Sequence, residues 1–203
     1  DCKGAVVAIG NFDGVHLGHQ ALIAHTGELA KEKGGPLGVV AFEPHPQEFF
    51  RRTPDIFRLT PFRTKARLLT DAGVDVMYAL NFDTEMAAMP AGRFISDVLV
   101  KGLGVKGVVV GSDFQFGKGR TGTTQTLIEA GKNLGFTIDI FEPVFEIGID
   151  KISSTHIREA LRAGKPEYAA KLLGHYWSVE SRVEHGDQRG RTIGFPTANV
   201  ELG

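Results

Sequence analysis

Several classes of protein are excluded by what this chain has little of. It carries one cysteine, Cys2, in 203 residues, so an internal disulfide framework is impossible and a reducing compartment is expected. No apolar run approaches the roughly 20 residues of a membrane span, and no secretory leader is visible, so a cytoplasmic protein with no membrane partner is expected. Charge of neither sign dominates: 23 Lys and Arg against 24 Asp and Glu leave a net −1. That balance offers no general field for nucleic acid, so any anion site must be local. Repeats and low-complexity segments are absent. The chain also lacks an initiating methionine and begins almost at a strand, so further residues upstream are expected. What remains is an ordinary globular composition, 42% hydrophobic and 23% charged, with 26 glycines available for tight turns.

A more local shortage is informative. Nothing acidic follows Asp13 until Glu28, although the first turn of a helix favours acids. Before this gap, Val6–Ile9 reads as a short buried strand; after it, Ala21–Lys33 reads as a helix. The connection is Gly10-Asn11-Phe12-Asp13-Gly14-Val15-His16-Leu17-Gly18-His19. Its far end opens the helix, where unpaired N–H groups and the dipole attract phosphate. His16 and His19, three residues apart, share a face if both lie in the first turn. Gly14 and Gly18 allow a ligand close to the backbone. Surface histidines or two metal ligands are the competing readings, and zinc is disfavoured because further ligands must come from afar.

The stretch from Gly10 to His19 resembles the signature of nucleotidyltransferases, and in particular that of the bacterial bifunctional riboflavin kinase/FMN adenylyltransferases, or FAD synthetases. The Asn-Phe-Asp-Gly preceding His-x-Gly-His narrows the resemblance to that flavin branch.

Along the chain, Leu37–Phe42 is a second strand that runs into Glu43-Pro44-His45-Pro46, an extended loop placing His45 at a strand's carboxyl end. Thr60-Pro61 reads as a helix cap, followed by a helix through Lys65, Arg67, Leu68 and Leu69 to Gly73. Val74–Leu80 and Val108–Val110 are further strands, with a helix over Pro90–Lys101 between them. Thr124–Leu134 is a helix and Thr137–Phe141 a fifth strand. This alternation predicts an α/β fold: a Rossmann-like, five-stranded, mostly parallel sheet. Asp113, Phe114 and Phe116 lie in a glycine-rich loop after the fourth strand and resemble the family's Gly-x-Asp/Asn-Phe-x-Phe-Gly block, which borders flavin and adenine. Ile152-Ser153-Ser154-Thr155-His156-Ile157-Arg158 opens another helix, with Ser154 or Thr155 as its expected cap. There Arg158 opposes the helix dipole unless an anion is bound. This stretch resembles the family's second nucleotide motif.

A domain boundary is expected at Gly174, giving 1–174 as the nucleotidyltransferase domain and 175–203 as an incomplete β-barrel. Trp177–Val183 reads as a strand. Pro196-Thr197-Ala198-Asn199 resembles the riboflavin kinase signature, in which Thr197 and Asn199 match positions contacting magnesium. About thirty residues are too few for an independent core, so riboflavin kinase activity is not expected of this tail alone.

The resemblance implies transfer of AMP from ATP to FMN, with Mg2+ as cofactor, ATP, FMN and riboflavin as small-molecule partners, and no nucleic acid. It implies His16, His19 and Arg158 as the catalytic set. Gly10, Asn11, Phe12, Asp13, Gly18, Ser153, Ser154 and Thr155 correspond to ATP-binding positions, and His45, Asp113, Phe114 and Phe116 to the flavin side. A homo-oligomer is left open. The same two anion sites suit a nucleotidyltransferase with another acceptor, or a non-catalytic nucleotide- or flavin-binding module.

Overall fold

A computed structural model describes residues 3–50, 57–142, 152–180, 183–184, 194–195 and 199–200. The central sheet is built from β1 (Val6–Ile9), β2 (Leu37–Glu43), β3 (Val76–Asn81), β4 (Gly107–Gly111) and β5 (Thr137–Phe141). Their order is β3-β2-β1-β4-β5, and every neighbouring pair is parallel. Short apolar strands of this kind need cover on both sides, and β1 shows how they obtain it. Val7 and Ile9 face one core with Phe94, Ile95, Leu99 and Leu127, while Val6 and Ala8 face another with Ile23, Val39 and Leu69.

The second core is closed by α1 (Leu17–Lys33) and α3 (Phe62–Asp71). The first is closed by α6 (Thr124–Leu134) and by a helix whose first turn, α5 (Ala91–Arg93), runs into a π-helical stretch over Phe94–Leu103. The sequence suggests one helix over Pro90–Lys101; the wider turn is a difference that the side-chain pattern does not announce. Two short helices, α2 (Pro46–Phe50) and α4 (Thr84–Ala88), decorate the β2–β3 edge.

The strand order reverses between β1 and β4, and a parallel sheet of this kind binds its ligand in the crevice there. Both segments leaving that point, Gly10–His19 and Gly111–Phe114, are the ones the sequence marks as chemical.

A third apolar cluster joins α7 (Ser154–Arg162) and α8 (Pro166–Leu173) to Leu59 and Ile152. Gly174 ends α8 in a left-handed conformation, φ 76°. Beyond it the chain stays on this domain: the Trp177 indole donates to the Leu59 carbonyl at 3.0 Å, and a His175 ring nitrogen lies 3.0 Å from the Gly14 carbonyl. The strand expected over Trp177–Val183 is not present at Trp177–Glu180. Instead Val183–Glu184 forms β6, paired antiparallel with β7 (Asn199–Val200).

Candidate active site

The helix α1 begins at Leu17, four residues earlier than its periodicity suggests, because its cap is a histidine. The His16 Nδ1 accepts the His19 backbone N–H at 3.3 Å, a role more often taken by Ser, Thr, Asp or Asn. A neutral imidazole that accepts at Nδ1 carries its proton on Nε2. The two rings stack 3.6 Å apart and 16° from parallel. Gly18 permits this: a Cβ there would lie 3.2 Å from His16 Nδ1. Reaching this arrangement takes an unusual turn, with Phe12 at φ 51°, Gly14 at 87° and Val15 at 40°. A β-branched residue at positive φ is strained, and such strain concentrates at functional sites.

Burial dominates the electrostatics of these rings. His16, 6% exposed, has its pKa lowered to about 4 by burial, against the opposing pull of Asp13. Burial takes His19 well below its ordinary value, and His16 and Lys65 add to the effect. The His45 ring is lowered too, again chiefly by burial. All three rings are therefore neutral at pH 7. His19 Nδ1 is buried and has no hydrogen-bond partner, and such a buried polar atom calls for an explanation.

The second helix start faces the first. Ser153 caps α7 by accepting the His156 N–H at 3.3 Å, and neither this helix nor α1 has an acid in its first turn. The cap is thus one residue earlier than expected. Ser154 instead reaches across, donating to the Asp13 carbonyl at 2.8 Å.

Arg158, 7% exposed, ties the two starts together. It ion-pairs with the Asp13 carboxylate and donates through Nε to the Phe57 carbonyl at 2.9 Å. Asp13 also accepts the N–H groups of Leu59 and Thr60. The Thr60 hydroxyl takes the Gly14 N–H at 2.9 Å, so Thr60 does not cap α3, which begins after Pro61.

Between these elements lies a cleft of about 780 Å³, within the range of small-molecule sites. It is lined by Gly10, Asn11, His16, Gly18 and His19 from the first start, and by Ser153, Ser154, Thr155 and Arg158 from the second. His45, Asp113 and Phe114 complete the far wall. Three residues that the resemblance associates with ATP or flavin lie outside this lining. Phe12 is fully buried and supports the His19 ring at 5.1 Å. Asp13 is buried in its pairing with Arg158. Phe116 packs into the core against Phe94, with Phe114 stacked on it at 5.5 Å. Sequence reasoning passed over Gln47, Phe141 and Glu142, which also line the cleft; only their position at or just after strand ends hints at it.

No three His, Cys, Asp or Glu side chains cluster as a metal site among the described residues. Asn199 sits exposed in β7, and Thr197 lies outside the described residues.

A parallel sheet carrying a cleft at its switch point, with two acid-free helix starts opposed across it, defines a nucleotide-binding α/β domain. The FAD synthetase family model matches residues 1–156, and the riboflavin kinase model matches residues 173–203. The chain belongs to the FAD synthetase family. It is 47% identical, over 98% of its length, to the bifunctional riboflavin kinase/FMN adenylyltransferase of Escherichia coli (strain K12), and 43% identical to that of Pseudomonas fluorescens. It spans 64% of the length of each. A crystal structure from Streptococcus pneumoniae, described as that of a macrolide-efflux protein, superposes with a TM-score of 0.83 at 34% identity, covering all of this chain and 65% of that one. Among the described residues of this chain, no helix is long and apolar enough to cross a membrane.

Proposed function

We propose that this domain transfers the adenylyl group of ATP to FMN, forming FAD and releasing pyrophosphate. The observation that carries the reading is the pair of opposed helix starts, one presenting neutral stacked histidines and the other hydroxyls, with no acid in either first turn. A triphosphate is the ligand such an arrangement suits.

The FMN phosphate is itself the nucleophile. Its oxygen forms a bond to the α-phosphorus as the bridging bond to the β-phosphate breaks, and the electron pair leaves with pyrophosphate. No protein side chain takes up the adenylyl group, so the chain's task is positioning and charge stabilisation. His16 and His19 donate ring N–H groups to the α-phosphate. Ser153, Ser154 and Thr155 hold the β- and γ-phosphates beside the α7 backbone N–H groups. Arg158 contributes its charge from a fixed position, because two of its nitrogens are already engaged. Asn11 and Gly10 border the nucleotide, and His45, Asp113 and Phe114 the flavin.

Magnesium supplies charge neutralisation on the phosphates when bound. It keeps several waters and needs few protein ligands, and among the described residues the carboxylates lining the cleft are those of Asp113 and Glu142. The names of the relatives, with the match over residues 173–203, support riboflavin phosphorylation by the longer protein, in the cytoplasm. The division at Gly174 belongs to this same reading.

The deciding experiment is incubation of the protein with ATP, magnesium and FMN, followed by chromatography. FAD and pyrophosphate in equal amounts are expected. ATP bound without pyrophosphate release would point to a non-catalytic module.

A further inference from the structure

One buried cation near the cleft has no part in this mechanism. Lys65, in the first turn of α3, is only 3% exposed. Its ammonium makes one ion pair, 3.5 Å from Glu43 Oε2. That oxygen is itself buried without a hydrogen-bond partner, and Glu43 is already paired with Arg58 through its other oxygen. A lysine at this depth normally requires close pairing. Among the described residues Lys65 has only this loose contact, while its ammonium carries three N–H donors.

Its position is fixed from two sides. The Gly14–Thr60 hydrogen bond of 2.9 Å pins the start of α3 to the turn before α1. Glu43 ends β2 at the same edge of the sheet from which α1 departs. Lys65 is therefore held near the turn that carries His16 and His19 and at the strand end two residues before His45, buried outside the lining of the cleft.

We propose that Lys65 is a positioning residue of adenylyl transfer, its buried ammonium supplying the fixed positive charge behind His19 and His45. The proposal rests on the reading given under Proposed function. Facing His19 are His16 from its own helix and Lys65 from α3. Facing His45 are Asp13 from the turn, Glu48 from α2, Arg158 from α7 and Lys65 again. Lys65 acts on both rings, and on each it opposes protonation. It adds to the burial that keeps the rings neutral, each with a single N–H to offer. Its own charge adds to that of Arg158 against the negative charge building at the α-phosphate, undiluted by bulk water.

The test replaces Lys65→Met, which keeps the stem and removes the charge, and Lys65→Arg, which keeps the charge. Ring titrations followed by NMR in the absence of substrates should move to higher pH for His19 and His45 in Lys65→Met and stay near wild type in Lys65→Arg. With FMN, ATP and magnesium, kcat should fall about tenfold or more in Lys65→Met with KM for ATP little changed, and Lys65→Arg should recover most of it. Should Lys65→Met fail to fold, Lys65→Gln carries the same test. Unmoved ring titrations, or full kcat in a charge-free variant, overturn the assignment. If the wild type makes no FAD, the adenylyl-transfer reading falls instead, while the titrations still decide whether Lys65 sets the state of the rings.

Discussion

At the start of α1 the helix is capped by an imidazole; at the start of α7 it is capped by a serine hydroxyl. The first start is dry and stacked, with Phe12 packed beneath His19 and a run of positive-φ residues leading into it. The second is more open: Ser153 and Ser154 are half-buried, and Thr155 and His156 are exposed. Rigid, desolvated donors suit the atom at which bonds change, because they act without reorganising. Wetter hydroxyls suit the outgoing phosphates, which must be gripped and then released. Arg158 belongs to both starts, since it grows from α7 and is paired with Asp13 just before α1.

Removing the strut between them should have the largest effect. Arg158→Met leaves the Asp13 carboxylate buried without its counter-charge, a loss of about 3–5 kcal/mol of stability. Chemical denaturation will measure it. A variant of wild-type stability with weaker pyrophosphate inhibition would show that Arg158 serves the phosphates rather than the architecture.

The buried first start should also be sensitive to acid. His16 has an ordinary pKa of 6.5 when unfolded and about 4 when folded. Between those values the unfolded chain binds the proton more readily, so stability falls as pH drops. The contribution is about 3 kcal/mol in total, fully present above pH 6.5 and lost progressively toward pH 4. Unfolding curves across that window should lose the His16 share of this dependence in His16→Asn, an amide that keeps a side-chain oxygen for the cap, while the shares of His19 and His45 remain.

His19→Ala separates the two starts kinetically. It should reduce the adenylylation rate by about 10²-fold, equivalent to ~2.7 kcal/mol, with ATP affinity far less altered. An unchanged single-turnover rate would take His19 out of the chemistry.

The smallest effect belongs to the second cap. Ser153→Ala should cost about 1 kcal/mol of stability and raise the KM for ATP more than it lowers kcat. Steady-state kinetics would read the contrast with His19→Ala directly.

Much of this was legible before folding. Alternating short apolar strands and amphipathic helices implied a parallel sheet, and it is parallel throughout. The absence of acid after Asp13 marked the start of α1, whose first turn carries none. Where the reading slipped, the cause was a competing partner. Thr60 looked like a cap, yet its hydroxyl serves the Gly14 N–H. Ser154 looked like one too, but it is drawn across the cleft to the Asp13 carbonyl. Pro46 opens a short helix where an extended loop was expected, a role its fixed φ allows. Lys65, which the sequence places only on the helix after Pro61, is buried.

Strand periodicity, the glycine turns and the two histidines of α1 depend on neighbours a few residues away, so the amino-acid order alone was enough to expose them. The pairing of Asp13 with Arg158 spans 145 positions, and that of Lys65 with Glu43 joins a helix to a strand end. Contacts at such separation leave no periodic trace. Only the packed molecule, by excluding water around charges that must then find one another, turned an ATP-like signature into a strut, a dry imidazole pair and a cation behind it.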